Sequence, residues 1–270
     1  MKNVVKILIS IFLVVLGGTF SAEASKKETI PTFFIHGYGS SYRAEQKMVA
    51  AALKKKVTKT DVLVNVDMNG QAHFKQELPK DAKDPIIEVN FENNKNVNAM
   101  MESQYLKSVI TLVQTKYDFK KMNIVAHSMG NSAVLFYLRD NAGDKSLPRL
   151  NKEVALAAFP NGLVDEMPKD ITVEKDGKPS VFAGDFTNFL PLKESYPKNA
   201  KVLNIYGDVL DGSQADGYVP VKSAKTLRYL VTPNASSYQE LEIKGKNGQH
   251  SKLHNNKKVN QALIKFLWNK

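Results

Sequence analysis

Short, strongly apolar runs alternate along the chain with stretches whose apolar positions recur every three or four residues. The runs are Thr32–His36, Val62–Val66, Ile86–Phe91, Met122–His127, Val154–Phe159, Val202–Tyr206 and Tyr238–Ile243. Rich in β-branched and aromatic residues, they predict strands. Between them Met101, Tyr105, Val109, Leu112 and Val113 predict an amphipathic helix over 97–116. Near the end Val259, Ala262, Leu263, Phe266 and Leu267 fall at i, i+3, i+4, i+7 and i+8, the clearest helix of the sequence. Alternation of strand and helix implies an α/β domain with a mostly parallel sheet covered on both faces. Asn69-Gly70 can instead close a hairpin, since that dipeptide suits a tight turn. No repeat or Pro-rich linker divides residues 25–270, so one domain is expected there.

The rhythm fails between about residues 160 and 200. Pro160, Gly162, Gly177-Lys178-Pro179 and Pro191 break it, and Phe186–Leu192 is mostly apolar. A loop of this length within a compact domain is usually functional or mobile. A solvated insertion without a role is the competing reading. Phe182, Phe186, Phe189, Leu190 and Leu192 favour a cap or lid over an apolar acyl site, because a purely solvated loop has little use for them.

The first 24 residues have a different layout. Lys2 and Lys6 precede the apolar run Ile7–Leu16, followed by Gly17-Gly18 and the small-residue site Ala22-Glu23-Ala24. This is the arrangement of a secretory signal peptide cleaved after Ala24. A retained anchor is the alternative, though such a run is short for a bilayer span. Export changes how the charge is read. Lys and Arg outnumber Asp and Glu by 38 to 27, a net +11, which suits nucleic acid, anionic membrane or anionic cell wall equally. An exported protein rarely meets nucleic acid, leaving membrane or wall and a secreted or cell-surface location. The absence of cysteine excludes a disulfide scaffold, thiolate metal sites and a cysteine-linked lipid.

Three candidate sites lie at predicted strand ends. Ile124-Val125-Ala126-His127-Ser128-Met129-Gly130 places a serine after an apolar strand and before the apolar run Ala133–Leu138. The pattern approximates G-x-S-x-G with Ala126 in the first position. A serine on a strained strand-to-helix turn needs small neighbours to expose its Oγ. The strand Phe33–His36 runs into Gly37-Tyr38-Gly39, where a backbone N–H can approach a substrate oxygen; the N–H groups of Tyr38 and Met129 are the candidate oxyanion hole. A base and an orienting acid are also required. Asp208, Asp211 and Asp216 follow the Val202–Tyr206 strand, and His250 follows Tyr238–Ile243. His250 lies nearer its strand end than His254 and is the expected base. His254 is a structural neighbour, His36 is expected to be a buried structural residue, and His73 lacks a comparable strand context.

These residues resemble the α/β-hydrolase superfamily. More narrowly, residues 28–270 are similar to candidate cell-surface hydrolases of Gram-positive bacteria, a branch of unknown function. The resemblance is carried by Phe34–Tyr38 (FIHGY), Asn123–Gly130 (NIVAHSMG), Leu203–Asp208 (LNIYGD), Asp216–Ala224 (DGYVPVKSA), His250–Asn255 (HSKLHN) and Phe266-Leu267-Trp268. It implies a doubly wound sheet with a cap-like insertion, Ser128 at the elbow, ester hydrolysis, and neither metal nor organic cofactor. It favours Asp216 over Asp208 as the acid, since related hydrolases carry an Asp shortly before Val-Pro. Ala126 and Asn131 depart from the glycines common at their positions. The expected activity is cleavage of acyl or lipid esters by Ser128, His250 and Asp216. A thioesterase or acyltransferase would use the same groups, and a non-catalytic binding protein is the reading from another class.

Overall fold

Strands buried on both faces need apolar residues at consecutive positions, and the central strands have them. In the computed structural model, which describes residues 28–270, β1 (Thr32–Ile35) is buried at every position. Phe33 and Ile35 enter the core on one face of the sheet, and Phe34 enters the core on the other. β2 (Asp61–Val66), β4 (Ile86–Phe91), β5 (Lys121–His127), β6 (Arg149–Leu156), β7 (Lys201–Asp208) and β8 (Ser237–Lys244) run parallel to it. The expected leader, residues 1–24, lies outside the described residues. No helix among them is long and apolar enough to cross a membrane.

The sheet has eight strands in the order β3-β2-β4-β1-β5-β6-β7-β8. Its one antiparallel strand, β3 (Ala72–Phe74), returns along β2 after a turn containing Asn69-Gly70, with Gly70 at φ +81°. The Asn-Gly hairpin is therefore present. On one face α2 (Ala99–Gln114) and α3 (Met129–Asn141) cover Phe33, Ile35, Ile124 and Ala126. On the other, α1 (Gln46–Lys54) and α9 (Lys257–Trp268) cover Phe34, Val125 and Val154. The chain leaves β1 toward one side of the sheet and β5 toward the other. The crevice beyond their C-terminal ends is the place where open α/β sheets bind ligands. The fold is that of an α/β hydrolase.

Two sequence expectations need correction. β6 ends at Leu156, short of Phe159, because Ala157 takes φ +49° and turns the chain out of the sheet. Phe186, Phe189 and Leu192, expected to cover an acyl site, lie in the core instead. Phe186 and Phe189, in the short α4 (Phe186–Phe189), are fully buried, and the Phe189 ring packs 4.7 Å from that of Phe136 on α3. Leu192, in α5 (Leu192–Ser195), and Tyr196 are buried in the same core. Packing against the sheet's helices satisfies these side chains, so they anchor the segment.

Candidate active site

Ser128 sits between β5 and α3 with φ 52° and ψ −126°. A side chain rarely adopts that conformation, which costs about 1–3 kcal/mol and persists only where the surroundings impose it. Here they do. A Cβ on Gly130 would stand 2.7 Å from the His36 carbonyl oxygen, so only glycine lets the start of α3 settle onto the end of β1. A Cβ on Gly37 would stand 2.8 Å from Ser128 Cβ and 3.4 Å from its Oγ. The turn after β1 thus lies directly against the serine. Ala126, fully buried between Ile35 and Ala155, shows that the first elbow position tolerates a methyl group. Asn131 donates to the Ser128 and Leu156 carbonyls at 3.0 and 2.8 Å, a use for its amide that glycine could not supply.

Ser128, His250 and Asp216 come together in one hydrogen-bonded row. Ser128 Oγ lies 2.9 Å from His250 Nε2, and His250 Nδ1 lies 2.7 Å from Asp216 Oδ2. The other Asp216 oxygen accepts the N–H groups of Tyr218 and Val219 at 2.9 and 2.7 Å. The His250 N–H donates to the Asp216 carbonyl at 2.9 Å. Two glycines permit this approach: a Cβ on Gly207 would meet Gly248 O at 1.8 Å, and one on Gly248 would meet Ile243 O at 2.1 Å. The loops after β7 and β8 are thereby pressed together, Asp216 on one and His250 on the other. Asp208 and Asp211 stay outside, accepting the N–H groups of Leu210 and Ser213.

The remaining histidines are structural in placement. His36 Nε2 accepts the Phe91 N–H at 3.0 Å, so its Nδ1 carries the proton and donates to Gly37 O at 2.8 Å. Burial holds its pKa below the ordinary value. His127 is wedged between His250 and His254, with ring centroids at 4.7 and 4.9 Å, and its Nε2 lies 3.1 Å from the His250 carbonyl. Burial first, then the facing His250, pushes its pKa well down. Nothing in the sequence marks this stack beyond the proximity of His250 and His254. His73 is on the edge strand β3, 3.3 Å from Asp67.

With that geometry in place, comparison with known proteins is informative. The family described as alpha/beta hydrolase of unknown function (DUF915) matches residues 20–270. The chain belongs to this family. Among solved structures it is similar to the lin2722 gene product of Listeria innocua, at 29% identity and TM-score 0.81, over 89% of this chain and 94% of that one. A candidate cell surface hydrolase of Lactobacillus plantarum matches at 15% identity and TM-score 0.67, over 89% and 90%. A lipase-esterase related protein of Clostridium acetobutylicum matches at 16% and 0.50, over 89% and 96%. At those identities the last two speak to fold alone. No curated protein matches in sequence.

In this alpha/beta hydrolase the serine opens into a cleft of about 670 Å³. Tyr38 and Met129 flank it, and among the described residues neither backbone N–H has an intramolecular partner. Met129 opens α3, so its N–H is one of the donors a helix leaves free. Phe159, Leu163, Val97 and Tyr218 supply apolar wall, with the Tyr218 ring 5.2 Å from His250. Glu166 and Asp185 stand at the rim. Residues 160–200 thus contribute Gly162, Leu163, Glu166, Gly184 and Asp185 to one wall. Sequence reasoning found no signal for Glu166, and Tyr218 was visible only within the DGYVP stretch.

Proposed function

We propose that this chain is a secreted serine hydrolase that cleaves carboxylic esters of short or medium acyl chain through an acyl-enzyme. The observation that carries the reading is the unbroken row from Ser128 Oγ, on a strained elbow at the cleft, through His250 to Asp216. In this mechanism Ser128 Oγ attacks the ester carbonyl while His250 Nε2 takes its proton. The N–H groups of Tyr38 and Met129 receive the developing oxyanion, each worth about 3 kcal/mol in such sites. His250 then protonates the departing alkoxide, and the acyl group remains on Ser128. A water molecule, deprotonated by the same nitrogen, attacks the acyl carbon, and the proton returns to Ser128 as the acid leaves. Asp216 holds the imidazole with Nδ1 protonated, which leaves Nε2 free to accept.

The apolar wall of Phe159, Leu163 and Val97 and a volume of about 670 Å³ support a modest acyl chain. Residues 1–24 would direct export, residues 25–270 would form the hydrolase, and the first part of 160–200 would act as its cap. In keeping with this, the Lactobacillus plantarum neighbour is named for the cell surface. A panel of p-nitrophenyl esters of increasing chain length tests the reading. The expected result is turnover by wild type that declines for long chains and disappears in Ser128→Ala. A folded wild type inert to every ester would contradict it.

A further inference from the structure

The parallel register aligns the first residues of the strands along one edge of the sheet, opposite the cleft. Thr32 lies beside Ile86 and Asn123, Lys121 beside Arg149, and Lys152 beside Lys201. The helices return to the same edge. For α9 the contact is direct, since Lys152 Nζ donates to the carbonyls of Phe266 and Leu267 at 2.8 Å each. Basic side chains collect here. Lys55 and Lys59 follow α1, Lys121 and Arg149 open adjacent strands, Lys201 opens β7, and Lys265 lies in the last turn of α9; all are exposed.

Carboxylates are fewer here: Asp61 opens β2, Asp84 precedes β4 and Asp144 precedes β6. Lys121 pairs with Glu28 at 2.7 Å and Lys120 with Asp118 at 2.6 Å. Among the described residues no carboxylate lies within 4.0 Å of Lys55, Lys59, Arg149, Lys201 or Lys265. Like charges set beside one another in a sheet oppose folding, and Lys152 has its pKa lowered by burial and by Lys201. At the cleft edge the signs are mixed. Glu166 and Asp185 stand at the rim, Asp208 ends β7 and Asp211 follows it, interspersed with Lys95 and Lys246.

We propose that the basic edge seats this protein on an anionic lipid bilayer, with the cleft facing away. Charge complementarity supplies the attraction. The sequence supplies the choice of a bilayer over a soluble polyanion. β1 begins at this edge, and the chain that precedes it carries the apolar run of residues 7–16 and then Lys26 and Lys27. A leader retained as an anchor would join the domain at this edge, and a cleaved chain would keep the same basic surface for the same bilayer. The strands set the cleft about 20 Å from the seated edge, so its ester would come from the aqueous side. This inference does not depend on the esterase reading, because binding is measured without turnover.

The test is co-sedimentation of the full chain with phosphatidylcholine vesicles, with and without phosphatidylglycerol, at low and high salt. Wild type should partition onto the phosphatidylglycerol vesicles in preference to the neutral ones, less so as salt rises. Combined Lys55→Glu, Lys59→Glu, Arg149→Glu and Lys201→Glu should weaken binding by about tenfold or more. Lys95→Glu, Lys169→Glu, Lys175→Glu and Lys246→Glu, an equal change of charge elsewhere, should retain most of it. If the first combination does not fold, the pair Lys55→Glu and Lys59→Glu, both on an exposed turn, carries the same comparison at smaller amplitude. Equal losses in both sets would reduce the effect to net charge and overturn the proposal. So would equal binding to neutral vesicles, or capture by a polyglycerol phosphate polymer without vesicle binding.

Discussion

Asp216 divides its carboxylate between two tasks: one oxygen accepts two backbone N–H groups and the other meets His250 Nδ1. In Asp216→Asn the amide oxygen can keep the backbone contacts, which leaves an NH₂ facing the imidazole. His250 must then carry its proton on Nε2, the wrong nitrogen for accepting from serine. Turnover should fall by about 10⁴-fold with the thermal midpoint little changed. Asp208→Asn alters only a turn contact to Leu210 and should stay near the wild-type rate. Comparing the two variants in ester turnover and thermal melting separates the carboxylates. Gly37→Ala places a methyl 2.8 Å from Ser128 Cβ, and the displaced nucleophile should lose about 10²-fold in kcat/KM. Ser128 and His250 were legible because strand ends and small residues surround them in the sequence. The choice among three aspartates was not legible from local pattern; it came from the resemblance, since only packing of Gly207 on Gly248 sets which carboxylate reaches the imidazole.

Phe186→Ala separates anchoring from lining at the scale of the element. Its ring is fully buried, so removal should destabilise the protein by about 3–5 kcal/mol, read as a lower denaturation midpoint. Acyl-chain preference should be unchanged. Leu163→Ala, in the cleft wall, should show the converse, a shift toward longer esters at nearly constant stability. Apolarity in 160–200 was visible in the sequence, but the same residues serve a lid or a core, and only the packing against Phe136 distinguishes them. The parallel strands were legible because burial on both faces demands runs such as Thr32–Ile35. α1 escaped notice because its buried face is only Met48, Val49 and Ala52. β3 was marked only by the Asn69-Gly70 turn before it, because none of its three residues is buried.

Across the whole molecule, buried acids and buried histidines make stability depend on pH in opposing directions. Burial raises Glu88 and Glu153 to about 7 and Glu102 to about 8. A raised carboxyl contributes fully below its unfolded value near 4.5, and that contribution is lost as pH rises through the folded value. His36, His127 and His254 are lowered, chiefly by burial. Their contribution is present above about 6.5 and is lost as pH falls through the folded values. Glu102→Gln should therefore shrink the drop in thermal midpoint between about pH 5 and about pH 9, leaving the acid limb intact. An unchanged alkaline slope would contradict burial as its cause. The central claim is that this fold presents one activated serine, and covalent labelling tests it most directly. The protein is treated with a fluorophosphonate and the adduct located by peptide mass spectrometry. The account predicts a single adduct on Ser128, absent from Ser128→Ala and strongly slowed in Asp216→Asn. An adduct on another residue, labelling retained without Ser128, or a folded wild type that never labels would contradict it.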